Sequence, residues 1–317
     1  MMLSRIAESL FWMGRYMERA EETARLLDVH FHTLLEQSQQ TYLLRWDSII
    51  RMSGEHERFF ELYGDATPQT VFEFLGFRED NPNSVVGCIA RVRENARTIR
   101  DRISRELWED VNSFYHRIRG FRAGSELLAG PHRFCNEVKF SSHQFRGVAD
   151  DTLTHDEGWQ FLRAGRALER AEKTARIVDV EYHTLLEGRT EHQPDHHQWM
   201  AVLKSVAAYE MYRREFHSSI EPRRVAQLLI LHPSLPRSIR FNIAELQASL
   251  QAISLAAPGT YANEAERLTG KLHETLRYDR VEDIFDRGLH DFLRDVQRTC
   301  RHIGDQIARK YFYYAAA

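Results

Sequence analysis

The chain has 317 residues, 43% hydrophobic and 28% charged, with a net charge of −3. That composition can fill a globular core, and its charge gives no reason to expect nucleic acid as a partner. No apolar run approaches the ~18 residues of a membrane span, and the scattered Cys88, Cys135 and Cys300 form no metal spacing and suit a reducing cytosol.

The spacing predicts a first long helix over residues 4–37. Leu10, Met13, Met17, Ala20, Ala24, Leu27, Phe31 and Leu34 step by three and four, which places them on one helical face. This opening segment carries Glu8 and Arg15 and does not read as a secretory signal. A second helix is expected over 42–63, with Leu44, Ile49 and Met52 among its apolar positions, and a short one over 68–77. Asn81 reads as the cap of the next helix with Pro82 at its first position. Its seam is Val85, Ile89, Val92, Ala96, Ile99 and Ile103. Residues 106–121 read as a helix with Trp108, Val111, Tyr115 and Ile118 facing inward. Gly124, Gly130 and Pro131 mark 122–133 as a loop, and another helix is expected over 134–149. No segment alternates with period two for long, so the chain reads as all-α.

The second half repeats the plan. Gly14–Glu36 and Gly165–Glu187 are identical at 16 of 23 positions, at an offset of 151. Thr154-His155-Asp156-Glu157 reads as a capping box for the second copy, whose seam is Leu168, Ala171, Ala175, Val178, Tyr182 and Leu185. Trp199 answers Trp46, and Pro236, Ser238 and Ile243 answer Pro82, Ser84 and Ile89. Closing helices are expected over 262–278 and 281–313. The expected architecture is an internally duplicated helical bundle of two pseudo-symmetric units, 1–150 and 151–317, packed as one body through their long first helices. Paired alanines, Ala20 with Ala24 and Ala171 with Ala175, would allow the close approach there.

Ser4 to Glu21 closely resembles the opening of the bacterial alpha-E family, a helical domain named for a Glu-Arg motif, here Glu18-Arg19. A second block, Asn81-Pro82-Asn83-Ser84, Arg93 to Asp101, Glu106-Leu107-Trp108-Glu109 and Asn112, is also similar to that family. The resemblance covers essentially the whole chain. It implies a cytoplasmic bacterial protein encoded beside, and sometimes fused to, ATP-grasp ligases and transglutaminase-like peptidases. Such a setting implies a system that makes or modifies peptides through amide bonds. The resemblance carries over no catalytic residue, and no cofactor is expected.

Two polar lines are candidate sites. Glu18, Glu21, Arg25, Asp28 and His32 run beside the first seam, and Glu169, Glu172, Arg176, Asp179 and His183 beside the second. Asp28 and His32 have metal-ligand spacing on a helix, as do Asp179 and His183. The arginines within the lines and the absence of a Glu-x-x-His pair disfavour a metal, so the lines read as an ion-pair network between the copies. The other candidate is Arg93, Asn95, Arg97 and Arg100. The second half has Gln247, Ser249, Gln251 and Ser254 in their places. Arginine forks bind carboxylates and phosphates, and they could equally neutralise Glu18, Glu21 or Glu94. His192, His196 and His197 read as a solvated tract. No phosphate loop, Ser-His-Asp spacing or Cys-His constellation is visible. The expected function is an accessory protein that binds the ligase or its peptide substrate. The alternative is an enzyme with an acid–base pocket where Glu18, Arg97 and Glu169 converge.

Overall fold

The computed structural model describes residues 2–34, 39–187, 196–217, 219–257 and 259–312. Every regular element among them is helical, and none is a strand. The chain divides into two compact units, a contiguous one of residues 16–153 and a split one of residues 1–15 with 154–317. The expected division at 150/151 gave the first fifteen residues to the first repeat.

Helix α1 spans Ser4–Leu34, and the division falls inside it, between Arg15 and Tyr16. The rest of the contiguous unit is α2 (Gln39–Ser53), α3 (His56–Leu62), α4 (Pro68–Phe72), α5 (Val85–Thr98), α6 (Arg105–Arg119), α7 (Ala123–Ala129) and α8 (His132–Thr152). The split unit adds α9 (Glu157–Glu187), α10 (His196–Ser205), α11 (Tyr209–Phe216), α12 (Pro222–Leu231), α13 (Ile239–Ser254), α14 (Glu264–Tyr278), α15 (Val281–Arg287) and α16 (Leu289–Ile307).

In the contiguous unit α5 packs on α6 and α6 on α8. Met17, Ala20, Ala24 and Leu27 of α1 are buried, as are Val85, Ile89 and Val92 of α5 and Phe134 and Val138 of α8. Each of these side chains other than the alanines contributes about 1.5–3 kcal/mol when fully buried. In the split unit α9 packs on α13 and α16, and α14 on both of these. Phe11, Phe161 and Phe312 form an aromatic cluster there, with ring centroids 5.4 Å apart for Phe11–Phe312.

Several boundaries differ from those expected. The helix expected over 42–63 is broken at Gly54, whose φ of 85° leaves the α region, giving α2 and α3. Gly288, at φ 92°, splits the expected closing helix in the same way into α15 and α16. The segment 122–133 holds α7 rather than an open loop. Ser84, not Asn81, caps α5, its Oγ accepting the Gly87 N–H at 3.0 Å. Asn81 instead accepts the Asn83 N–H at 3.0 Å and donates to the Phe74 carbonyl at 3.0 Å, so Pro82 lies in the turn before the helix. Asp156, not Thr154, caps α9 by accepting the Gly158 N–H at 2.8 Å. On α6 the core face is Leu107, Val111, Phe114 and Ile118, while Trp108 and Tyr115 are only half-buried.

Within the split unit the two motif helices approach closely at their glycines. A Cβ on Gly14 would sit 2.2 Å from the Leu162 carbonyl oxygen, and one on Gly165 would sit 2.0 Å from that of Phe11. Gly165 follows Gly14, and Leu162 follows Phe11, by the repeat offset of 151, so the approach is reciprocal. Only a residue without a Cβ permits backbone contact of this kind.

Candidate functional site: two charged lines and an arginine ladder

The polar line of α1 faces α8. Glu21 is fully buried, and its oxygens accept from Arg25 Nε at 2.8 Å and Arg146 Nη1 at 2.8 Å. His143 Nε2 stands 3.4 Å from the same carboxylate. Arg146 Nη1 also lies 3.6 Å from Glu18 Oε2. Two turns on from Glu21, buried Asp28 accepts from Lys139 Nζ at 2.5 Å and contacts His132 Nδ1 at 2.9 Å and His32 Nε2 at 3.6 Å. A buried carboxylate left without such donors is strongly destabilising, so these cations are part of the fold.

The α9 line is satisfied differently. Arg15 donates to Glu169 at 2.6 Å and to Glu172 at 3.1 Å, and Arg176 reaches Glu172 at 3.2 Å. Asp179 contacts His290 Nδ1 at 2.6 Å and accepts from Gln297 at 3.0 Å. His183 stacks on His290, with centroids 4.9 Å apart and planes at 14°. Of the ion-pair network expected between the copies, the structure shows the Arg15 pairs within the split unit. Arg25 and Arg176 pair within their own helices, and further partners come from α8 and α16. Sequence reading missed Arg146, His143, Lys139 and His132, and also His290 and Gln297. A signal for them existed: His132, Lys139, His143 and Arg146 step by seven, four and three, a basic line at helical spacing.

Arg93, Arg97 and Arg100 do not join the acidic line. Arg93 donates to Asn112 at 2.8 Å and stacks over Tyr115 at 4.8 Å and Trp108 at 5.8 Å. Arg100 lies 5.2 Å over Trp108, and Arg119 lies 5.7 Å over Tyr115. Arg97 is 64% exposed and pairs with Glu94 at 2.7 Å, and Asn95 is half-buried. Arg97 is thus at the surface while Glu18 is in the interior, which removes the expected convergence of Glu18, Arg97 and Glu169. The result is a ladder of arginines and aromatic rings along α5 and α6, held by cation–π contact. Beside it a cavity of about 330 Å³ is lined by Phe77, Glu79, Val86, Ile118, Arg119, Phe121 and Arg122. The split unit has a cavity of about 540 Å³ whose lining includes Leu231, Pro233 and Arg240. These three stand 154 residues after Phe77, Glu79 and Val86, the offset that relates the two capping serines.

All three cysteines are free and buried. Burial pushes the Cys135 thiol well above its ordinary range, helped by the charge of Asp28, and burial does the same to Cys300, helped by Glu172. Such thiols are poor nucleophiles. His192, Pro194 and Asp195 lie outside the described residues, as do the side chains of His196 and His197.

Residues 2–312 match the family Alpha-E, described as a predicted alpha-helical domain with a conserved ER motif. The chain belongs to the Alpha-E family. It is also similar to the uncharacterized protein Rv2567 of Mycobacterium tuberculosis and the uncharacterized protein Mb2597 of Mycobacterium bovis, at 23% identity over 92% of this chain. The chain spans 36% of the length of these relatives. No solved structure matches it. No helix among the described residues is long and apolar enough to cross a membrane.

The structure gives the Alpha-E Glu-Arg motif a physical role in each copy. Glu18 turns inward toward Arg146, while Arg19 donates to Asn83, in the turn that leads into α5. Glu169 accepts from Arg15, and Arg170 donates to the Pro236 carbonyl at 3.2 Å, in the turn that leads into α13. In both copies the glutamate holds a buried cation and the arginine fixes the turn before the next bundle helix.

Proposed function

We propose that this Alpha-E protein is an accessory helical partner in an ATP-grasp-dependent amide-ligation or peptide-modification system, where it binds the ligase or its acidic peptide substrate. The carrying observation is the division of labour among its charges. The carboxylates of both lines lie against guanidinium, ammonium, imidazole or amide groups. A general acid or base needs an open path to substrate, and these groups lack one. The Arg93, Arg100 and Arg119 ladder, by contrast, stands at the surface beside a cavity, where arginine forks can hold a peptide carboxylate. The three free cysteines favour a cytoplasmic location. The ligase and a transglutaminase-like protein are the partners this reading names.

The same reading takes the chain as a duplicated bundle. In its favour, Ser84 and Ser238 cap α5 and α13 through the same 3.0 Å bond, and Asp28 and Asp179 each hold a histidine from the last long helix of their unit. Co-expression with the ATP-grasp ligase encoded beside it tests the function. The complex is expected to co-purify, and an Arg93→Ala, Arg100→Ala double variant is expected to weaken it. A ligase that is fully active alone and shows no association would sink the proposal.

A further inference from the structure

We propose that Asp28, His32 and His132 form a binding site for one divalent transition-metal ion of the zinc class. This goes beyond the accessory role above and does not depend on it. Asp28 and His32 are one turn apart on α1, and His132 is the first residue of α8. Their facing atoms make a compact triangle: Asp28 Oδ1 to His132 Nδ1 is 2.9 Å, His32 Nε2 to His132 Nδ1 is 3.4 Å, and His32 Nε2 to Asp28 Oδ1 is 3.6 Å. Ligands at 2.0–2.1 Å from tetrahedral zinc stand about 3.3–3.4 Å from one another. The three distances bracket that edge, so one ion fits on the triangle with small side-chain adjustments.

The surroundings fit the same assignment. The Asp28 side chain is 8% exposed while those of His32 and His132 are 61% and 57% exposed, so a buried anchor carries two imidazoles that open to solvent. A fourth position on the ion would face outward. Lys139 occupies Asp28 Oδ2 and leaves Oδ1 to the ion. Asn136 Nδ2 lies 2.7 Å from His132 Nε2, and a half-turn of the amide puts its oxygen there instead. With its oxygen turned toward the ring it accepts the Nε2 proton and presents the Nδ1 lone pair, the support that metal-bound histidines normally have. Arg25, one turn before Asp28 on the same line, is drawn away to Glu21 and His143.

The split unit supplies an internal control. Asp179, His183 and His290 are the same residue types, but the His183 and His290 rings are stacked at 14°. Near-parallel rings direct their in-plane lone pairs side by side and not at one point. The His32 and His132 rings meet at 76°. One ion per chain is therefore expected.

Titration of the tag-free, full-length protein with Co²⁺ tests this. The expected result is a saturable ligand-field spectrum of tetrahedral type at one equivalent, displaced by Zn²⁺. His132→Ala and His32→Ala should abolish it, and His290→Ala should leave it unchanged. Asn136→Ala keeps all three ligands and should weaken binding about 10–100-fold, which covers the case of a ligand variant that misfolds. No saturable spectrum in the parent protein overturns the proposal, as does a spectrum that survives in folded His132→Ala or disappears in His290→Ala.

Discussion

The two motif helices carry the same five polar residue types at the same spacing, yet their carboxylates are neutralised in two ways. On α1 the cations that join Arg25 come from α8: Arg146 holds Glu21 and Lys139 holds Asp28. On α9 the corresponding acids are held by Arg15 and, for Asp179, by the neutral amide of Gln297. Set at an offset of 158, His132 meets His290, Lys139 meets Gln297 and Arg146 meets Gly304. Gly304 explains the last exchange. A Cβ there would lie 3.4 Å from Arg15 Nη1, so the guanidinium of Arg15 fills the space that a side chain at 304 would take. The acids recur, and so do the arginine four residues on and the histidine beside each aspartate; the exchange is of Lys139 for Gln297 and of Arg146 for Gly304.

The comparison breaks most sharply at Arg15. Arg15→Ala takes one guanidinium from two acids at once, and removal of one partner from a buried pair costs about 3–5 kcal/mol. Arg146→Ala should cost less, because Arg146 stands 3.6 Å from Glu18 whereas Arg15 donates to Glu169 at 2.6 Å. Denaturant melts of the two variants measure the difference, and equal losses would contradict the account. Adding Gly304→Arg to Arg15→Ala should recover part of the loss, whereas Gly304→Arg alone should destabilise.

Gly165→Ala comes next. Its Cβ would overlap a backbone carbonyl that cannot rotate away, so a loss near the upper end of the ~1–3 kcal/mol of overpacking is expected in the same melts. A change of side chain that leaves the hydrogen bond in place is milder. Lys139→Gln gives the α1 line the amide that α9 already has, and a loss of about 0.5–1.5 kcal/mol is expected. A much larger loss would show that Asp28 needs a cation where Asp179 does not.

The smallest effect lies on α6. Asp110 accepts from Gln144 at 2.6 Å through one oxygen, and its other oxygen is buried. Burial raises its carboxyl above the ordinary range, with Arg117 opposing. The folded state then takes up this proton at a higher pH than the unfolded state does. Stability from this group is therefore lost as pH rises from the ordinary carboxylate range through the raised value, and regained on acidification. Asp110→Asn should stabilise the protein slightly at neutral pH, with the gain vanishing in acid. Thermal melts across that range check it, and a gain that persists in acid would contradict the assignment.

Helical periodicity made the fold class and the long helices legible, because apolar steps of three and four need no knowledge of neighbours, and the residues from Ser4 to Glu21 carried the Alpha-E resemblance. Breaks at Gly54 and Gly288 were missed because one positive φ ends a helix without disturbing the apolar pattern on either side. The cap of α5 was misplaced because Asn81 and Ser84 are both good caps, and only the turn around Pro82 decides between them. At the candidate site the acids were readable and their partners were not. Asp28 and His32 lie four residues apart, but His132 and Lys139 stand more than 100 residues away, where no local spacing reaches. Arg93 and its neighbours were recognised as unusual, yet the ladder depends on Trp108 and Tyr115 being half-exposed, which the apolar pattern of α6 had turned inward.

The split unit also has a consequence for how the protein is made. Residues 2–15 belong with residues 154–312, so Gly14 and Arg15 are synthesised long before their partners. At about 5–20 residues per second, α9 and α16 follow on the order of ten seconds to a minute later. During that interval the contiguous unit can complete its bundle, while Ile6, Leu10, Phe11 and Met13 wait without the surfaces that finally cover them. For the same reason a protease that cuts between Leu153 and Glu157 liberates no intact half: the piece carrying the contiguous unit keeps the fifteen residues that the split unit needs.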